Sequence, residues 1–258
     1  MTFAPKSKHT LRVMTYNVHS CIGTDGQLSP ERIAKVIAHF RPDVVALQEV
    51  DVGRARTGGV DQAHRIAHLL EMDFHFNAAL QVEEEQYGDA ILSTLPMRLI
   101  KTGPLPGLPG WPNLEQRGAL WVGIQFNSIE IHVFNTHLGL VPKERRIQIQ
   151  SLLGPEWMDH PGCRDPIIFC GDLNVLSASW VCRRLRGRLK EAASHAIHKH
   201  LRGTFHSRFP TVRIDHVFVS RLLRVESVHV PTTEAVRLAS DHLPLIVDIQ
   251  ITSLNYLS

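Results

Sequence analysis

Nine short runs dense in Val, Ile, Leu and Phe punctuate this chain, and most stop at a polar side chain able to hold a metal ion or move a proton. They cover residues 11–18, 43–50, 89–94, 119–126, 129–137, 166–172, 214–220, 225–230 and 243–251. Each is too short for a typical helix and is bounded by Gly, Pro or Asp, so each reads as a strand. In 129–137, Ile129, Ile131 and Val133 alternate with Glu130 and His132, as on a strand with one wetter face. Asn127-Ser128 between two such runs predicts a hairpin. Strands this apolar need cover on both faces, which predicts an α+β chain of two packed sheets flanked by helices.

The helices fall between the strands. Ser29-Pro30-Glu31 supplies an N-cap, a first-turn proline and an acid suited to the helix dipole, and Ile33, Val36, Ile37 and Phe40 follow at helical spacing. Arg41-Pro42 stops that helix. Residues 61–72, 144–153 and 177–185 read as three more. Residues 101–113, with four prolines and three glycines, read as a long loop inside a single domain of residues 11–252, preceded by a tail of residues 1–10.

The length of 258 residues and an apolar fraction of 43% allow a core without disulfides. The four cysteines have no CxxC spacing, which excludes a zinc knuckle or a disulfide framework. A net charge of +3 permits a polyanionic partner without requiring one. The start, MTFAPKSKHTLR, has no apolar stretch, and no run approaches membrane-spanning length, so a cytoplasmic location without a transmembrane segment is expected. Two charged clusters, Arg183–Lys190 and His195, His198 and His200, read as solvated surface rather than ligand sites.

The strand ends carry the chemistry. They are TYNV (15–18), LQEV (47–50), NTHL (135–138), GDLN (171–174) and SDHLP (240–244); a sixth motif, RIDHV (213–217), begins a strand. One Asp at a strand end is an ordinary turn residue. Several carboxylates converging on one sheet edge repel each other unless a cation compensates. The hard oxygens of Glu49, Asp241 and the Asn17 carbonyl suit Mg²⁺ or Mn²⁺. Asp172 is then the candidate base for an attacking water, and Asn174 orients that water or a phosphate. His137 and His242 can donate to phosphoryl oxygens, and Asp215 suits a partner that fixes a His tautomer.

In the order TYN, LQE, GDAILS, NTHL, GDLN, RIDHVFVS, SDHLPL, these motifs resemble the endonuclease/exonuclease/phosphatase superfamily over nearly the whole chain. The resemblance implies a four-layer αββα sandwich and metal-dependent cleavage of phosphate esters. It implies that Asn17, Glu49 and Asp241 lie at the metal, that Asp172 and Asn174 act on nucleophile and phosphate, and that His242 contacts phosphate and pairs with Asp215. His137 stands where abasic-site nucleases carry Tyr, as in branches similar to deoxyribonuclease and bacterial sphingomyelinase. His19 stands where abasic-site nucleases carry Asp. GDLN is followed by Val175-Leu176, unlike the basic motifs of inositol-polyphosphate 5-phosphatases. Asp89 either adds a carboxylate near the site or merely starts a strand. Arg117 resembles a family Arg near the phosphate, and an ordinary ion pair is the other reading. Arg54 and Arg56 sit beside Gly58-Gly59, either as a flexible grip on a flanking phosphate or as plain surface.

The expected function is a Mg²⁺- or Mn²⁺-dependent phosphodiesterase, with nucleic acid as first-choice substrate. A phospholipid or sugar-phosphate substrate is the alternative. A lipid-cleaving enzyme needs an exposed aromatic loop, and Trp111, flanked by prolines, is expected to be packed. A non-catalytic binding module is the third reading, against which stand intact Glu49, Asp172 and His242.

Overall fold

A computed structural model describes residue 7 and residues 9–251. Most of the expected tail, and residue 252, lie outside the described residues. In chain order the elements are β1 (Thr10–Asn17), α1 (Pro30–Phe40), β2 (Val44–Val52), α2 (Gln62–Leu70), β3 (Asp73–Val82), β4 (Glu85–Ser93) and β5 (Met97–Pro104). They continue with β6 (Gly118–Phe126), β7 (Ile129–His137), α3 (Pro142–Leu152), β8 (Ile167–Asp172), α4 (Trp180–Arg186), β9 (Lys190–Glu191) and α5 (Ala192–His195). The last are β10 (His198–His200), β11 (Asp215–Val219), β12 (Leu223–His229), α6 (Glu234–Ala239) and β13 (Leu245–Ile251).

The strands form two sheets, one of seven in the order β10-β12-β13-β1-β2-β4-β3 and one of six in the order β5-β6-β7-β8-β11-β9. Pairing is mostly antiparallel; β1 with β2, β7 with β8 and β10 with β12 are parallel. One core fills the space between the sheets and continues over β1 and β2 to Ile33 and Ile37 of α1 and Ile66 of α2. A second core lies over the six-stranded sheet, where Trp121, Phe134 and Phe169 meet Ile149 and Leu152 of α3 and Val181 and Leu185 of α4. The result is the expected four-layer sandwich. No helix among the described residues is long and apolar enough to cross a membrane.

Local chemistry sets most boundaries. Ser29 accepts from the Arg32 N–H with Pro30 behind it, and Arg41 closes α1 in the left-handed conformation. Asp61 caps α2 in the same way, and Ser179 caps α4, which therefore starts later than residue 177. Asn127 and Ser128 both have positive φ, as the tight turn of the expected hairpin requires.

Two expectations fail. The stretch 101–113 is not all loop, since Lys101–Pro104 closes β5 by pairing with β6. β5 lies at a sheet edge, where a proline at the strand end forfeits no ladder hydrogen bond. Trp111 is 59% exposed rather than packed, because neither core includes it. The strand β3, unpredicted, pairs with β4 and starts that strand at Glu85 rather than Asp89.

Candidate active site

Strand parity brings the polar ends together. Along β8, Ile168 and Cys170 point into the inter-sheet core, so Asp172 follows them on the same face. The same count carries Ile131, Val133 and Asn135 to His137 on β7, and Leu11, Val13 and Thr15 to Asn17 on β1. Register finishes the work: His137 pairs with Asp172, and Asp172 pairs with Asp215 on β11. Three adjacent strands thus present His137, Asp172 and Asp215 in one row.

Backbone geometry around the row is unusual. Gly171 has a φ of 143°, and a Cβ there would collide with the carbonyl oxygen of Thr136 on β7. Glu49 (φ 58°) and Asn174 (φ 52°) are left-handed although neither is glycine. Glu49 sits where the β2–β4 register shifts, so a bulge turns its carboxylate out of the ladder.

His242 bridges the two carboxylates of the row. Its Nδ1 is 2.9 Å from Asp215 Oδ2 and its Nε2 is 3.6 Å from Asp172 Oδ2. Burial works against the imidazolium, but Asp215, Asp172 and Asp241 outweigh it and push the His242 pKa up to about 10. Burial and the neighbouring Asp215 push Asp172 up to about 7. Asn174 donates its backbone N–H to Asp172 Oδ1 at 2.9 Å.

His137 is set differently. Arg117 Nη1 lies 2.8 Å from its Nδ1. A guanidinium only donates, so Nδ1 is the acceptor and the ring proton sits on Nε2. That nitrogen faces Asn174 Nδ2 at 3.0 Å and Asp172 Oδ2 at 3.5 Å. Burial, with the charges of Arg117 and His242, holds the His137 pKa well below its usual value, so the ring is neutral.

Asn17 donates its amide to Glu49 Oε1 at 2.8 Å and to Asp172 Oδ2 at 3.1 Å. Its carbonyl, expected to face a metal, instead accepts the His19 backbone N–H at 3.0 Å. The His19 ring reaches Asp241, with Nδ1 2.9 Å from Oδ2. Among the described residues the tight group of potential metal ligands is Asp172, Asp215 and His242, without Glu49 or Asp241.

The basic side chains are less free than the sequence implies. Arg56 forks onto buried Asp51 at 2.8 and 2.7 Å, reaches Ser20 Oγ at 3.1 Å and lies over the Tyr87 ring. Arg54 Nε is 3.4 Å from Glu85 Oε2. Arg117 pairs with Glu115 at 2.7 Å as well as with His137. The cluster His195, His198 and His200 is exposed and outside the site.

The family model that describes the Endonuclease/Exonuclease/phosphatase family matches residues 14–242. The chain belongs to this family. Solved structures agree at the level of fold. An endonuclease/exonuclease/phosphatase from Beutenbergia cavernae superposes with a TM-score of 0.75 at 25% identity, over 95% of this chain and 72% of the other. A mannosyl-6-phosphatase from Bacteroides thetaiotaomicron gives 0.75 at 23% identity, over 93% and 99%. The human Nocturnin catalytic domain with bound sulfate gives 0.71 at 20% identity, over 94% of each. No curated relative matches the chain by sequence.

Family members are phosphoester hydrolases, generally dependent on a divalent metal. The residues here suit such an ion. Asp215 Oδ1 is buried with no hydrogen-bond partner. Glu49 and Asp241 keep side chains 24% and 21% exposed, and no Arg or Lys neutralises either one among the described residues. These are hard oxygen donors at the open end of the sandwich.

Several participants went unread in the sequence. Asp89 is buried, and burial raises its pKa to about 8 although Arg117 opposes this. Its Oδ2 and Nδ2 of its cross-strand partner Asn77 both lack a partner. Glu191 is buried under Arg186, Arg213, Ser177 and His216. His216 in turn lies 2.8 Å from the Val175 carbonyl and so anchors the loop that follows Asn174. Only spacing at fixed register, which sequence does not give, would have found these pairs.

Proposed function

We propose that this protein is a Mg²⁺- or Mn²⁺-dependent phosphodiesterase of the branch similar to deoxyribonuclease and sphingomyelinase, with nucleic acid as its first-choice substrate. The observation that carries this reading is the in-register row His137–Asp172–Asp215 with His242 bridging its two acids. Asp172 is the base for the attacking water, and its raised pKa of about 7 suits a proton acceptor near neutrality. Asn174 orients that water or a phosphoryl oxygen.

His137 stays neutral and presents its Nε2 proton to a phosphoryl oxygen, fixed in that tautomer by Arg117. His242 carries its positive charge to another, and Asp215 holds that charge in place. Glu49 and Asp241 would hold the metal, with Asn17 setting the Glu49 carboxylate. A bound divalent ion polarises the phosphoryl group and offsets the negative charge that builds on it. Arg117, Arg54 and Arg56 line the approach as substrate contacts, the last two only after release from Glu85 and Asp51.

A sugar-phosphate substrate is the second reading. It is favoured by the fold shared with the mannosyl-6-phosphatase. The test is a panel of DNA, RNA, phospholipid and sugar phosphates in Mg²⁺ or Mn²⁺, with Asp172→Ala as control. Turnover of DNA or RNA that Asp172→Ala abolishes supports the proposal. Turnover of sugar phosphates alone selects the second reading. No turnover of any substrate, or turnover equal in the variant, sinks both.

A further inference from the structure

A second group of ligating side chains lies at the other end of the seven-stranded sheet. Asp73 pairs with Ser93, and Ser93 with Val44 at the start of β2, whereas Glu49 stands near the end of β2. Four residues of β3 separate Asp73 from Asn77, whose partner Asp89 belongs to the catalytic end. At about 3.3 Å per residue that is roughly 13 Å.

At this end α2 and β3 enclose a hollow of about 420 Å³. Six of the eight residues lining it have metal-ligating side chains: His64, His68, His75, Asp73, Met72 and Met97. His64 and His68 are one helical turn apart, so both project from one face of α2, and both are exposed. Their ring centroids are 6.2 Å apart. Two imidazoles on one ion have centroids roughly 5–6 Å apart, given metal–nitrogen distances of about 2.0–2.1 Å. A small side-chain rotation of exposed rings closes the difference. Two His at i, i+4 on a helix face form a recurrent chelating pair. His75, half-buried on the strand that follows, offers a third imidazole.

We propose that His64, His68 and His75 form a binding site for a late first-row transition-metal ion, distinct from the catalytic centre. Imidazoles select Zn²⁺, Cu²⁺ or Ni²⁺ over Mg²⁺, and the two thioethers at the wall favour copper among these. The ion ties the end of α2 to β3, two elements joined otherwise by the short turn at Glu71 and Met72. It therefore stabilises the fold by mass action.

The test uses tag-free full-length protein in excess Mg²⁺, titrated with Cu²⁺ and, separately, with Zn²⁺. Calorimetry gives stoichiometry and affinity, and electron paramagnetic resonance of the Cu²⁺ sample reports nitrogen ligation. One Cu²⁺ per chain is expected, with nitrogen hyperfine structure and a rise in melting temperature. In the double variant His64→Ala, His68→Ala, affinity falls at least about 10-fold, the scale on which even outer partners of ligating imidazoles act. Both positions are exposed, and circular dichroism checks that the variant folds. His75→Ala lowers affinity further. Unchanged affinity in the double variant overturns the proposal. So does loss of the Cu²⁺ site in Glu49→Gln, which would assign the ion to the catalytic centre.

Discussion

Two buried polar clusters lie only a residue or two apart along the same strands, and they are built to opposite rules. In the inner cluster, Gln48 donates to Asn135 at 2.7 Å and to Thr15 at 3.1 Å, while Asn135 donates to the Leu47 and Ala90 carbonyls at 2.8 and 2.9 Å. It is neutral, and it locks one sheet to the other. In the outer cluster, carboxylates face each other across strands, and Asp215 Oδ1, Asp89 Oδ2 and Arg117 Nε find no partner. A neutral cluster with every amide N–H placed stabilises the fold; a charged one with open valences stores the capacity to bind and react.

The comparison breaks most sharply at Asp172. Asp172→Asn is expected to lower kcat by a factor on the order of 10³, the scale of a lost general base. The metal-free protein should melt no lower, because a buried like-charge contact with Asp215 disappears. A variant that loses stability and keeps its rate would reverse the roles of the two clusters.

Asn135→Leu tests the other side. It strips the inner cluster's link between sheets and leaves the Leu47 and Ala90 carbonyls without that donor, at a cost of about 2–3 kcal/mol by denaturant melts. KM should stay within error, since Asn135 touches no outer-cluster side chain.

Acidity separates the clusters further. His242 has a folded pKa above its unfolded value, so its stabilising effect is full below about pH 6.5, the ordinary imidazole value. That contribution disappears as pH rises through about 10. In metal-free protein, melting temperature should fall across that window, and His242→Asn should flatten the fall. A wild-type profile that matches the variant's would remove His242 from this account.

The smallest effects belong to the rim. Arg56→Ala leaves Asp51 buried without its fork and should cost about 1–3 kcal/mol of stability. Arg54→Ala, next to an exposed Glu85, should leave stability unchanged and raise KM a few-fold for a polyanion. Equal effects of the two on stability would mean that the Arg56–Asp51 fork adds nothing.

The outer cluster was readable from sequence to the extent that strand parity governs it. Asn17, His137 and Asp172 each end an apolar run, and counting by two along the run gives the face they share. The edge strand β5 was hidden by Pro104, and β3 by falling between a clear helix and a clear strand. The partners of the rim were hidden for another reason. Arg56 looked like a free cation because nothing in the sequence marks Asp51 as buried beside it. The Asn17 amide looked like a metal-facing carbonyl because the sequence does not say which end of an amide faces inward.

The close approach at Gly171 bears on how this sequence can change. With the Thr136 carbonyl filling the space of a β-carbon and φ at 143°, the position has no room for a side chain. A saturation library at residue 171 selected only for folding should return glycine. The Gly-Asp pair is therefore kept by two separate pressures, crowding at the first residue and reactivity at the second. A descendant of this chain that had abandoned catalysis would be free to lose Asp172 and would still keep the glycine before it.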